Sequence, residues 1–216
     1  MNFHASRHFA VALALALPAA SHAQWVDFAQ IDASSNSSTL VLVREAPRNV
    51  GNVGEDGKAA TPAPLLSATA TRWSSGEALA IGYVLRWKIA QDEQQWLVGA
   101  GVGANSFRSR VVGNEERESA LSARLQSEWF GPVLGGSYYA LAQASSFRGS
   151  WFATLQYSLP SLPLALEASR YHETTYQATT VGLRVAIGVP HWFVRVGAVR
   201  ADGKSRPFAG VTYNGF

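Results

Sequence analysis

Apolar and polar positions alternate along most of this chain. In "ALAIGYVLRWKIA" one face carries Leu79, Ile81, Tyr83, Leu85, Trp87 and Ile89. The other carries Ala78, Ala80, Gly82, Val84, Arg86 and Lys88. A period of two reads as a β-strand. From about Leu66 onward the same rhythm, punctuated by turn residues, predicts ten strands. They lie near 66–73, 78–89, 95–107, 120–129, 136–144, 150–159, 164–171, 177–187, 192–200 and 207–215. Upstream, "STLVLVREA" (38–46) reads as one more strand and "WVDFAQIDA" (25–33) as another, for a total of ten to twelve. The stretch between them and Leu66 is rich in Gly, Pro and charge and reads as a loop or linker. The spacing is that of an antiparallel up-and-down meander.

The two faces differ in kind. In 150–159, Trp151, Ala153, Leu155, Tyr157 and Leu159 oppose Phe152, Thr154, Gln156 and Ser158. Trp73, Trp87, Trp96, Trp129, Trp151, Tyr157, Tyr171, Tyr176, Trp192 and Tyr213 all fall near strand ends. Aliphatic residues fill the strand middles. A membrane interface selects this sorting, because Trp and Tyr join an apolar body to a polar tip. The apolar face therefore looks outward at lipid, with Leu155 in the band and Gln156 pointing inward. A sheet in hydrocarbon has to close, since an open edge leaves backbone groups unpaired. The predicted fold is all-β, an antiparallel transmembrane β-barrel.

Composition narrows the rest. Met1–Ala23 has the three-part pattern of a secretory signal peptide: Arg7, a short apolar run, then Ser21-His22-Ala23. Residues 24–65 form an N-terminal segment and 66–216 the barrel proper. The chain has no cysteine, which excludes disulfides, thiol nucleophiles and Cys-ligated zinc. A net charge of +3 is too slight to argue for nucleic acid. After the leader no apolar run is long enough for a membrane-spanning helix.

Starting upward from the periplasm at Leu66, the periplasmic turns are "QDEQ", "GPVL", "LPSLP" and "GVPH". The outer connections include Arg108–Ser119, "SSFRG", "HETTY" and "ADGKSRP", and most are as long or longer and more charged. On these features the chain resembles small bacterial outer-membrane β-barrel proteins. The resemblance implies residence in the outer membrane among its lipids. It also implies handling by the barrel-assembly machinery, for which the terminal Phe216 looks like the recognition signal. Asn214-Gly215 puts Phe216 one place out of phase with Val211 and Tyr213, a shift that a bulge would restore. Barrels tied to envelope polysaccharide systems look similar, and no motif identifies such a partner.

Candidate chemistry is sparse. "RYHETTY" gathers His172, Glu173 and Thr174 at an outer rim, but no motif supplies the serine that a lipid-modifying barrel enzyme needs. His172 reads better as a polar rim residue. His191 reads as an interfacial turn residue, and the two histidines lack acidic partners at metal-ligand spacing. "GAGVGA" lies mid-strand without the helix that nucleotide binding requires, so its glycines are expected to make room inside a tight barrel. No cofactor, metal or catalytic residue is expected. The inward set Arg86, Lys88, Arg124, Arg184 and Arg195 against Glu128 and Glu167 is the functional hint. It fits a salt-bridged plug in a narrow lumen, in a structural or envelope accessory barrel. It also fits a cationic constriction that passes small anions. A secreted lipocalin-like barrel would need the apolar face inside.

Overall fold

The computed structural model describes residues 26–45, 62–90, 93–111, 113–201 and 203–215. The leader, much of the predicted 47–64 linker and Phe216 lie outside the described residues. Twelve strands run in chain order: β1 (Phe28–Ser34), β2 (Ser37–Glu45), β3 (Ala63–Trp73), β4 (Gly76–Ala90), β5 (Gln95–Val111), β6 (Asn114–Val133), β7 (Gly136–Ser145), β8 (Trp151–Ser158), β9 (Leu164–His172), β10 (Gln177–Ala186), β11 (Trp192–Ala201) and β12 (Lys204–Asn214). Each pairs with its sequence neighbours, and β12 returns to pair with β1, so the barrel is closed. Closure removes the free edges that hydrocarbon would penalise. The two upstream segments are β1 and β2, and without them the ring does not close.

Side-chain parity follows the ladder. Opposite residues share a face, so Arg86↔Gly99↔Gln126↔Gln143 is one inward row and Leu85↔Ala100↔Leu125↔Ala144 an outward one. The outward row is exposed, with Leu125 at 63%, and so is the outward face of other strands, with Leu155 on β8 at 53% and Val181 on β10 at 54%. The inward row is buried and polar, with Arg86, Gln126 and Glu128 all under a tenth exposed. Along the strand middles the exposed large apolar side chains are outside and the buried charges inside, the reverse of a soluble barrel.

The sequence departs from expectation at one outer connection. Arg108–Ser119 is not a loop: β5 and β6 extend through it as a hairpin to Val111↔Asn114. Apart from the two valines at its tip this segment is polar on both faces, so alternation left no mark there. Cross-strand pairing continues instead, with Arg110 opposite Glu115. At the other end, Leu134 (φ 48°) and Gly135 (φ 79°) form the two-residue turn between β6 and β7.

Candidate functional site

The inner wall is built around four buried arginines: Arg86 on β4, Arg124 on β6, Arg184 on β10 and Arg195 on β11. Arg86 donates to Glu128 on β6 at 2.9 Å and pairs with Glu45 on β2 at 2.8 Å. Gln126 donates to the same Glu128 oxygen at 2.7 Å, and the Tyr139 hydroxyl donates to the other at 3.2 Å. Arg195 donates to Glu167 on β9 and reaches over β12 to Asp32 on β1. Gln30 donates to Asp32 at 2.7 Å. Each of these arginines thus sits between two carboxylates, which offsets the cost of burying it.

Arg124 and Arg184 do not. Among the described residues neither forms an ion pair with a carboxylate. Arg124 donates to Asn105 Oδ1 at 3.3 Å and to Ser67 Oγ at 3.5 Å, and its Nε has no partner. Its head occupies the space over Gly82 and Gly103, where a β-carbon would collide with it. Those two glycines leave the guanidinium room to lie against the wall, and Gly103 does so from within the glycine run. Arg184 donates to Gln156 Oε1 at 2.5 Å and lies 5.1 Å from the centre of the Phe193 ring. Its Nε and Nη2 have no partner.

Topology places these two heads. The contacts of Arg124 lie on β3, β4 and β5, and those of Arg184 on β8 and β11. In a ring of twelve strands that is opposite walls. None of the lumenal hydrogen bonds named here spans more than three strand steps, so they follow the wall and do not cross the bore. Lys88 shares the inward face of Arg86 nearer the periplasmic rim and is half-buried.

Two acids were missed from sequence. Asp32 and Glu45 come from the upstream strands, and beside Glu128 and Glu167 they raise the carboxylates paired with Arg86 and Arg195 from two to four. The large basic excess expected from sequence shrinks accordingly. What remains is local: two arginines without a carboxylate.

The aromatic set divides by face. Trp87, Trp96, Trp129, Tyr157, Trp192 and Tyr213 are outward at the periplasmic rim. Trp96 stacks on Trp129 at 6.2 Å and Trp192 packs on Tyr213 at 5.5 Å. Trp151 is outward at the other rim, stacked on His172 at 5.7 Å. Trp73 and Tyr171 are corrections. Both have inward parity, Trp73 packing on the buried Phe107 at 5.7 Å and Tyr171 on Tyr176 at 6.0 Å. They line the outer mouth and are not part of a lipid-facing girdle. Nearness to a strand end does not choose a face; parity does. His172 and Glu173 also part, since His172 is outward while Glu173 turns into the mouth.

Across that mouth lies Arg148, in a 3-10 turn at Phe147–Gly149 between β7 and β8, with a positive φ of 54°. It donates to Glu116 at 2.7 Å, Glu118 at 2.9 Å and Thr175 at 2.9 Å. Its guanidinium sits 4.1 Å from the Phe107 ring centre, and Glu173 is 3.7 Å away. Burial opposes its charge. The bonds to Glu116 and Glu118 and the charge of Glu173 outweigh that and hold its pKa above the ordinary arginine value. One side chain thereby ties the β5–β6 hairpin to two outer loops.

A closed, apolar-coated, charge-lined antiparallel barrel is the architecture of a bacterial outer-membrane β-barrel. Among solved structures the chain is similar to the KdgM porin, at 11% identity and a TM-score of 0.50, over 87% of this chain and 97% of that one. The KdgM porin in complex with disordered oligogalacturonate matches at 10% identity and 0.50, with the same coverage. The outer membrane protein Omp33 of Acinetobacter baumannii matches at 11% identity and a TM-score of 0.48, over 88% of this chain and 98% of that one. At such identities the likeness is one of fold. No protein-family model and no curated protein matches the sequence.

Proposed function

We propose that this chain is a narrow outer-membrane channel whose wall favours small anionic solutes. The observation that carries the reading is the pair Arg124 and Arg184. Both are buried, both bond only to neutral groups, and they lie on opposite walls. A charge in a partly desolvated bore acts more strongly than one in bulk water, and arginine-lined constrictions favour anions. Arg86 and Arg195 are neutralised by flanking carboxylates and contribute less. The bonds that follow the wall support an open bore over a plug. One neighbour of this fold, the KdgM porin, forms a complex with disordered oligogalacturonate, an acidic sugar chain, which supports an anionic solute here.

The test gives each free arginine a carboxylate without changing side-chain size. Asn105→Asp meets Arg124 and Gln156→Glu meets Arg184. The wild type is expected to conduct in planar bilayers with a reversal potential on the anion side of a salt gradient. The double variant is expected to shift toward cations. A cation-selective wild type, or an unmoved reversal potential, would overturn the reading. A wild type that folds but never conducts would favour the accessory, plugged barrel.

A further inference from the structure

The two rims of the outward face carry different chemistry. The periplasmic rim is aromatic. At the outer rim the register aligns Arg72↔Glu77↔Arg108↔Arg117 across β3 to β6, all outward, since they alternate with Thr71, Ala78, Phe107 and Glu118 inside. Arg110 follows one outward row further out, opposite Glu115. On the other side of the barrel, Arg170↔Thr179↔Arg200 forms a second outward row across β9 to β11.

Glu77 lies 3.2 Å from Arg110 and 4.0 Å from Arg108. Arg72, Arg117 and Arg200 are exposed and have no hydrogen bond or ion pair among the described residues. Arg170 is exposed too, donating only to Gln177 at 3.4 Å and lying 5.8 Å from the Trp151 ring. Six arginines therefore face outward at this rim against the two carboxylates Glu77 and Glu115. The β9–β11 row has no outward carboxylate among the described residues.

We propose that this arginine rim, and the Arg170–Arg200 pair above all, binds phosphate-bearing glycolipid of the outer leaflet. Depth selects the occupant. Directly beneath Arg170 and Arg200, one outward step along the strands, lie Ala168, Val181 and Ala198. A ligand seated here presents anions to the guanidinium groups while its chains run down the aliphatic wall, so it is a lipid and not a free anion. Arg170 and Arg200 sit two strands apart, about 10 Å, and can engage separate anionic groups of one headgroup. Guanidinium forks match phosphate oxygens in pairs, and long basic side chains near a bilayer boundary snorkel to that level. The inference rests on the outer-membrane reading and not on conduction.

The test begins with the purified protein refolded into phosphatidylcholine vesicles, its insertion checked by the heat-dependent gel shift of closed barrels. Trace diphosphorylated lipid A, the same lipid A with both phosphates removed, or phosphatidylglycerol is then added. Lipid retained on the barrel after detergent extraction is weighed by native mass spectrometry. Wild type is expected to keep the phosphorylated glycolipid in preference to the other two. Arg170→Gln with Arg200→Gln is expected to lower retention about 30-fold, the product of about fivefold per basic residue near an anionic surface. Arg170→Lys with Arg200→Lys is expected to recover part of it. Equal retention of phosphorylated and dephosphorylated lipid A, equal retention of phosphatidylglycerol, or an unmoved glutamine variant would overturn the inference alone. A wild type that does not enter vesicles would overturn the membrane reading and this inference with it.

Discussion

Placing one arginine on each face of β8 tests which side of the barrel wall is wet. Leu155 is outward between Trp151 and Tyr157, opposite Ala140 and Ala168, and 53% exposed. Nothing polar on the outward face of these strands stands beside it. Arginine there is held in hydrocarbon, at a cost of about 2–4 kcal/mol near the midplane. At about 1.4 kcal/mol per factor of ten, that is roughly 30- to 700-fold in the folding equilibrium. Thr154, the preceding residue, points inward and donates to the Ala168 carbonyl at 3.3 Å. Arginine at 154 loses that one neutral bond, about 0.5–1.5 kcal/mol, and extends into a polar lumen. The Leu155→Arg variant is therefore expected to be the less stable of the two by about 0.5–3.5 kcal/mol, taking these ranges together. Urea titrations of vesicle-folded protein, followed by tryptophan fluorescence, read the difference. Equal penalties, or a larger one for Thr154→Arg, would mean that the wall is inside out.

Gly103→Val is expected to expel the Arg124 head from its place over β5, costing about 1–3 kcal/mol of overpacking and weakening anion preference in the same bilayer recordings. Replacing Asp32 and Glu167 together by alanine strands Arg195 without a carboxylate, with an expected loss of about 3–5 kcal/mol in urea titrations. Either single change costs less because one partner remains, and a double-mutant cycle separates the two. Arg148→Ala is expected to free the outer loops and raise single-channel conductance while leaving the reversal potential in place. The ties it breaks lie at the mouth, away from Arg124 and Arg184; an unchanged conductance would count against that account of the mouth.

Much of the architecture was legible because lipid and lumen impose opposite chemistries on alternate residues. Strands β3 to β12 follow directly from that contrast. The strand count stayed open at ten to twelve because β1 is short and its outward residues, Ala29, Ile31 and Ala33, include only one large apolar side chain. The same weakness hid Asp32, and Glu45 at the end of β2, and with them half of the carboxylates that pair with Arg86 and Arg195. The β5–β6 extension was hidden for a different reason. Beyond the bilayer both faces meet water, so no alternation marks the strand and only cross-strand pairing sustains it. Trp73 and Tyr171 show a third limit. Aromatics gather at rims on both faces, and composition near a strand end does not say which. The lack of carboxylate partners at Arg124 and Arg184 was not legible either, because it depends on which side chains meet across two or three strands.

The ion pair between Arg195 and Asp32 joins residues 163 positions apart. Every strand pairing except β1 with β12 is a hairpin between sequence neighbours and can form locally. This contact cannot form until the first and last strands meet. It also demands the correct register, because a slip of one residue at the seam would turn Asp32 from the lumen toward lipid. The pair thus acts as a checkpoint on closure. A correctly zipped seam gives Arg195 its second carboxylate, and a misaligned one strands Asp32 toward lipid and leaves Arg195 with Glu167 alone. Register at the seam is thereby read by the same arginine that lines the bore.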